Sequence, residues 1–66
     1  MPELSPREAE VLHLIIEGKS DWEIGAILSV APRTVNFHAE NLKRKLGASN
    51  RLQAVLKAVR SGLIPL

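Results

Sequence analysis

The chain has 66 residues and a formal net charge of +2 at pH 7, a length that suits one small domain. Cysteine is absent, which excludes disulfides and thiolate metal sites. No apolar run approaches the roughly 20 residues of a membrane span, and no signal-peptide pattern is visible. We therefore expect a single cytoplasmic domain over residues 1–66, with no membrane partner.

Charge is distributed unevenly along the chain. Residues 1–28 carry two basic and six acidic side chains, a net charge of −4. Residues 29–66 carry seven basic side chains and one acidic residue, Glu40, a net charge of +6. Such asymmetry indicates a polyanionic partner, and the alternative is a dipolar surface that aids solubility.

A capping box begins the first predicted helix. Ser5 is followed three residues later by Glu8, with Pro6 at the first helical position, a combination typical of a helix start. Apolar residues then recur at helical spacing up to Gly18, which predicts a helix over residues 6–17. Its predicted inward side chains are Val11, Leu12, Ile15 and Ile16.

A second capping box, at Ser20 and Glu23, begins a shorter predicted helix over residues 21–28. Its predicted inward side chains are Ile24, Ile27 and Leu28. The next three residues, 29–31, form the predicted turn that leads into a third helix.

The third helix is predicted over residues 32–46. Pro32 suits its first position, but Ala31 at the cap position offers no side-chain acceptor. The free N–H groups at this end suit either water or an anion such as phosphate. The predicted inward side chains are Val35, Ala39, Leu42 and Leu46, at helical spacing.

The opposite face of the third helix combines arginines with an aromatic ring. At about 100° per residue, its members lie roughly 140° to 200° from Val35. They are Arg33, Phe37, Glu40 and Arg44. A short capped helix, a turn and a longer helix with such a face make a helix-turn-helix over about residues 20–47. The second helix of that motif reads bases in the DNA major groove.

Side-chain chemistry divides the predicted DNA contacts into two groups. Asn36 suits adenine, Phe37 suits a thymine methyl group, and Glu40 suits the amino group of cytosine. The alternative for Glu40 is an i,i+4 pair with Arg44 or support of Asn36 within the helix. The predicted backbone contacts from residue chemistry are Trp22, Arg33, Thr34, Lys43, Arg44 and Lys45. The alternatives are a packed Trp22 ring and cations that favour a helix C-terminus.

A fourth helix is predicted over residues 50–61, capped by Asn50. Its predicted inward side chains are Leu52, Val55, Leu56, Val59 and Leu63. A second face consists of Ala54, Lys57, Ala58 and Ser61. Small residues at this spacing permit close helix approach, so we predict a weak two-fold homodimer through this face. Such a dimer matches a pseudo-palindromic DNA site. An exposed alanine face chosen for helix propensity is the alternative.

Three segments of the chain resemble the LuxR-type (LuxR/GerE) helix-turn-helix domain of bacterial transcription regulators. They are LSPREAEVLHLIIEGKS, EIGAILSVAPRTVNFHAENLKRKLG and NRLQAVLKAV, and the resemblance runs from Leu4 to about Ile64. The segments DWEIG and TVNFH further resemble the acyl-homoserine-lactone receptors of proteobacteria. The resemblance implies an all-α fold of four helices, in which the second and third form the motif and the fourth supports dimers.

The resemblance also implies roles for individual residues. Asn36, Phe37 and Glu40 fall where family members contact bases, and Thr34, Lys43 and Arg51 fall at or near backbone contacts. Ala31 replaces a serine frequent in the family, and Glu40 stands where several members carry a basic residue. The chain matches only the effector domain of the family, so we expect the excised effector domain of a quorum-sensing-type regulator or a small stand-alone regulator.

These patterns together predict sequence-specific binding of double-stranded DNA in transcription regulation, with RNA polymerase as a further partner. The alternative class is a helical protein-interaction module that uses the acidic first helix or the alanine face of the fourth. We do not expect an enzyme, because no nucleophile–base pair, metal cluster or phosphate loop is recognisable. We therefore expect no catalytic residues, no cofactor, no metal and no small-molecule ligand in this domain.

Overall fold

The computed structural model describes residues 3–63, which form four α-helices and no β-strand. The helices are α1 (Pro6–Ile16), α2 (Asp21–Leu28), α3 (Pro32–Leu46) and α4 (Arg51–Arg60). Each bound lies within one residue of its predicted position, so the all-α, four-helix prediction is confirmed. None of these described helices is long and apolar enough to cross a membrane.

The core is built around α3, which packs against each of the other three helices. Its predicted inward stripe is confirmed, because Val35, Ala39 and Leu42 are fully buried and Leu46 packs against them. The other buried apolar residues are Val11, Leu12, Ile24, Ala54 and Ala58. A helix that touches every other element is held in a fixed orientation, so its outward face is fixed as well.

Both predicted capping boxes are formed. The Ser5 hydroxyl accepts from the Glu8 backbone N–H at 3.1 Å, and the Glu8 carboxylate accepts from the Ser5 N–H at 2.9 Å. Ser20 and Glu23 make the same reciprocal pair at 3.2 and 2.8 Å. These contacts satisfy N–H groups that a helix start leaves without partners, and so fix where α1 and α2 begin.

The turn between α2 and α3 depends on a close backbone approach at Gly25. A β-carbon at this position would lie 2.6 Å from the Val30 carbonyl oxygen, closer than real side chains come. The same turn places Ser29 in the left-handed region at φ 60°, which non-glycine residues adopt at a cost. The close backbone approach at Gly25 and the left-handed conformation of Ser29 therefore determine the path of the turn between α2 and α3.

Two predicted inward residues of the first two helices are exposed. Ile16 and Ile27 lie at the surface, so the prediction was wrong for both. Helix α2 has only eight residues and buries Ile24 and Gly25, and its neighbours leave Ile27 53% exposed. Ile16 is the last residue of α1, beyond the part of that helix that supplies Val11 and Leu12 to the core.

Helix α4 packs through the opposite face from the one predicted. Ala54 and Ala58 are buried in the core, whereas Leu52, Leu56 and Leu63 are exposed. The small alanine side chains let α4 lie close to its neighbours, and the leucines half a turn away then point outward. The predicted inward stripe was therefore wrong for these three leucines; Val55 and Val59 are partly buried.

The predicted dimer face on α4 is corrected by the same observation. Ala54 and Ala58 are buried within one chain and are not available to a second copy. Lys57 donates its ammonium hydrogen to the Gly47 carbonyl, and the Ser61 hydroxyl donates to the Lys57 carbonyl at 2.7 Å. Ala54 and Ala58 therefore pack α4 against its own chain and Lys57 fastens it to Gly47, whereas Ser61 is exposed and bonds only within the end of α4. The predicted face is thus wrong for the two buried alanines, and a homodimer stays a prediction.

Candidate nucleic-acid interface

The outward face of α3 is a continuous exposed surface, which we call the α3 face. It consists of Arg33, Asn36, Phe37, Glu40 and Arg44, all exposed to solvent. Phe37 is 61% exposed although it lies on a helix that otherwise buries its apolar residues. The burial of Val35, Ala39 and Leu42 on the other side forces these five side chains outward, so the structure brings the predicted residues together.

Two polar contacts within α3 orient Arg44 of the α3 face and Lys43 beside it. The Lys43 ammonium lies 2.5 Å from the Glu40 carboxylate, one helical turn away. The Arg44 guanidinium donates to the Asn41 side-chain oxygen at 2.6 Å. Sequence reasoning assigned no role to Asn41, and the three-residue spacing between Asn41 and Arg44 is the signal that indicates this contact.

The exposed Phe37 ring is supported by a neighbour in sequence. His38 is half-buried, and its ring meets Phe37 edge to face with centroids 5.7 Å apart. An edge-to-face pair is a favoured aromatic geometry and restricts how the Phe37 ring turns. An apolar ring held in this way suits contact with a thymine methyl group.

The beginnings of α2 and α3 lie beside one another at one edge of the α3 face. A shallow hollow there is lined by residues of α2, by the turn and by the first residue of α3: Trp22, Gly25, Ala26, Ser29, Val30, Ala31 and Pro32. Trp22 is 77% exposed, so its indole does not pack into the core. Among the described residues no side chain caps the beginning of α3, where Ala31 is the N-cap residue. The Thr34 backbone N–H donates to the Ala31 carbonyl at 2.9 Å. This edge therefore offers an exposed, flat aromatic ring, whereas the Thr34 N–H is already used within the first turn of α3.

Arg51, a predicted backbone contact, lies outside the α3 face. Its guanidinium donates to the Asp21 carboxylate, so the pair joins the beginning of α4 to the beginning of α2. Both side chains keep part of their surface exposed. The pair holds α4 to the motif, and the predicted contact of Arg51 with phosphate stays a prediction.

Lys45, also a predicted phosphate contact, is bound to α1. Its ammonium donates to the buried Glu8 carboxylate at 2.7 Å and to the Glu3 carbonyl at 3.3 Å. Burial raises the pKa of Glu8, but Lys45 and the capping donors of Ser5 together outweigh burial and hold that pKa below its usual value. Lys45 thus fastens the end of α3 to the beginning of α1.

No group of three or more His, Cys, Asp or Glu side chains within residues 3–63 is arranged to hold a metal ion. The α3 face offers two guanidinium groups, a carboxamide, a carboxylate and an aromatic ring, and the Lys43 ammonium lies beside it. Such a mixture suits both the phosphates and the base edges of duplex DNA.

Comparison with known proteins gives a consistent result. The family described as "Bacterial regulatory proteins, luxR family" (GerE) matches residues 2–58. The transcriptional activator protein SolR of Ralstonia solanacearum is 54% identical over 61 residues, which are 92% of this chain and 26% of that protein. The quorum sensing-dependent transcriptional regulator RpaR of Rhodopseudomonas palustris is 51% identical over 63 residues, which are 96% of this chain and 26% of that protein.

A solved structure shares both the fold and part of the sequence. The crystal structure of the response regulator ChrA, from a heme-sensing two-component system, superposes with a TM-score of 0.90 at 34% identity. The match covers 97% of this chain and 32% of that one. The chain therefore spans about a quarter to a third of the length of the relatives described here.

Proposed function

The chain is a DNA-binding domain of the LuxR family of bacterial regulatory proteins, and from that premise we propose that α3 enters the major groove of double-stranded DNA and reads its sequence. The observation that carries this proposal is the α3 face, where basic, amide and aromatic side chains are exposed together. A rigid helix of this width fits the groove, and its exposed side chains reach base edges.

The proposed roles follow the chemistry of each side chain. Asn36, Phe37 and Glu40 contact bases, because amide, apolar and carboxylate groups distinguish base edges. The groups that contact the DNA backbone are Trp22, Arg33, Thr34, Lys43, Arg44 and Arg51. Backbone contacts fix the register of α3 on the duplex without selecting its sequence.

We further propose that the domain serves a quorum-sensing-type regulator in the cytoplasm. RpaR is named as quorum sensing-dependent, and SolR is named as a transcriptional activator. Because the domain spans about a quarter of either protein, the signal that controls it belongs to the rest of such a regulator. Contact with RNA polymerase stays a prediction.

Selection of bound duplexes from a random pool, followed by titration at rising salt, tests the DNA-binding proposal. We expect a recurrent sequence to emerge and its affinity to fall steeply with salt, because each neutralised phosphate adds about 0.9 to the log–log slope. Recovery of random sequences with an affinity that salt does not change would refute the proposal.

Two variants separate base reading from backbone contact. Asn36→Ala should lower affinity for the selected duplex by about 1–3 kcal/mol and leave affinity for an unrelated duplex nearly unchanged. Arg33→Gln should weaken both duplexes alike and reduce the salt slope by about 1. Identical behaviour of the two variants would show that the assignment of roles is wrong.

The proposed homodimer uses a different face of α4 from the predicted one. Leu52, Leu56 and Val59 lie at helical spacing on the outward side, and Leu52 is 69% exposed. Exposed apolar stripes of this kind suit an interface between copies, and a two-fold dimer would present two α3 helices to two half-sites.

Leu52→Ala combined with Leu56→Ala tests this dimer. The double variant should keep its affinity for one half-site and lose cooperative binding to two half-sites, as measured by titration of each duplex. Retained cooperativity would exclude the α4 stripe as the interface. The alternative function, a helical protein-interaction module, cannot use the alanine face of α4, because Ala54 and Ala58 are buried.

A further inference from the structure

We propose that Glu40 determines specificity by restraint: it holds Lys43 in an ion pair and so suppresses binding to duplexes that lack the matching base. This inference rests on the proposed function, and it concerns what Glu40 does at the wrong sequence. Glu40 is the only acidic residue among residues 29–66, where seven basic residues stand.

Glu40 lies on the α3 face and also contacts Lys43, a proposed phosphate contact. Its side chain is 54% exposed on the α3 face, and its carboxylate lies 2.5 Å from the Lys43 ammonium. The Lys43 side chain is only 19% exposed, so it is largely covered, and its ammonium is held against the more exposed Glu40 carboxylate. A phosphate that approaches Lys43 from the α3 face therefore meets the Glu40 carboxylate at the same place.

The ion pair reduces what a phosphate gains from Lys43. A lysine that is already paired with a carboxylate must exchange one anionic partner for another, whereas an unpaired lysine gains a new one. The Glu40 carboxylate also repels a phosphate brought close to it. Both effects act on every duplex, and they lower the sequence-independent part of the affinity.

A matching base removes this penalty. When the amino group of cytosine or adenine faces α3, the Glu40 carboxylate accepts its hydrogen bond and Lys43 is released to a phosphate. When the acceptor atoms of guanine or thymine face Glu40 instead, the carboxylate is repelled and keeps Lys43. The repulsion between Glu40 and the acceptor atoms of a wrong base therefore increases the difference in affinity between matching and non-matching duplexes.

The test uses the full 66-residue chain and the variant Glu40→Gln, which keeps the side-chain shape and removes its charge. Affinity is measured for the duplex selected with the wild-type chain and for a scrambled duplex of the same length and composition. We expect Glu40→Gln to bind the scrambled duplex roughly five- to tenfold more tightly at 0.1 M salt, with a log–log salt slope steeper by about 0.9. The ratio between the two affinities should fall by a similar factor.

Glu17→Gln is the matched control. It removes the same charge from an exposed position at the end of α1, outside the α3 face. If both variants raise affinity for the scrambled duplex equally, total charge explains the effect and the proposal is overturned. Unchanged affinity and slope in Glu40→Gln would overturn it as well.

A second pair of variants tests the link to Lys43. Lys43→Gln should reduce binding to the scrambled duplex more in the Glu40→Gln background than in the wild-type background, because only there is the ammonium unpaired. Equal losses in both backgrounds would overturn the proposal. Failure of the wild-type chain to bind any duplex would refute the proposed function and this inference together, whereas a sequence-selective wild type with an unaltered Glu40→Gln variant refutes this inference alone.

Discussion

Helices α3 and α4 each carry two different faces, yet only α3 packs as its sequence pattern predicts. On α3 the apolar side holds Val35, Ala39 and Leu42, and the opposite side is polar apart from Phe37. On α4 the alanines pack inward and the leucines half a turn away stay exposed. Helical spacing therefore identifies the residues that share a face, but it does not identify which of two apolar faces a neighbour will cover.

The difference has a physical origin in how closely the helices lie. A leucine stripe stabilises a helix that lies at ordinary distance from its neighbours, whereas an alanine stripe allows closer packing. Because α4 packs against both α3 and α1, the small stripe fits the limited space between them. The leucine stripe is then left exposed, so the proposed dimer interface lies on the face that the sequence pattern predicted to be core.

The largest expected effect comes from enlarging the buried alanine of α4. Ala58→Leu should lower the free energy of unfolding by about 3 kcal/mol, since a fully buried site has no room for three more carbon atoms. Urea denaturation of the chain measures this loss. Leu52→Ala, the matched control on the exposed side, should cost less than about 1 kcal/mol. The reverse order would mean that α4 packs through its leucines.

An alanine at Gly25 should also destabilise the domain, by about 2 kcal/mol. Within most helices this change is favourable because alanine has the higher helix propensity, but here the new β-carbon would meet the Val30 carbonyl oxygen. Thermal unfolding followed by circular dichroism gives the shift in melting temperature. Ser29→Gly in the same turn should raise stability by roughly 0.5–1 kcal/mol, because φ is 60° there. A stabilising Gly25→Ala would contradict the close approach of the turn.

The smallest expected effect concerns the Glu8–Lys45 pair, which fastens the end of α3. Glu8→Gln should cost about 1.5 kcal/mol at pH 7. Because the folded state holds the pKa of Glu8 below its usual value of 4.5, the carboxylate stabilises the fold above that pH. This stabilisation is lost as pH falls through the folded-state pKa.

Urea denaturation of the wild-type chain and of Glu8→Gln across pH measures that contribution. The difference in unfolding free energy between the two proteins should be largest near pH 7 and should shrink below about pH 4.5. A difference that stays constant down to acidic pH would show that the Glu8 charge does not stabilise the fold.

The parts of the fold that depend on local rules were predictable from sequence. Ser5 and Ser20 cap the predicted helices, and the one-sided apolar stripe of α3 fixed its outward face in advance. Contacts between residues far apart in the chain were not predictable. Lys45 meets Glu8 across 37 positions, and no spacing rule separates such a lysine from one that faces DNA.

The most direct test of the central claim is whether α3 lies in the major groove of its selected duplex. Dimethyl sulfate methylates guanine at N7 in the major groove and adenine at N3 in the minor groove, so its footprint distinguishes the two. We predict that the chain protects guanine N7 atoms in each half-site and leaves adenine N3 atoms reactive between them. Unchanged guanine reactivity together with protected adenine N3 atoms would contradict the account.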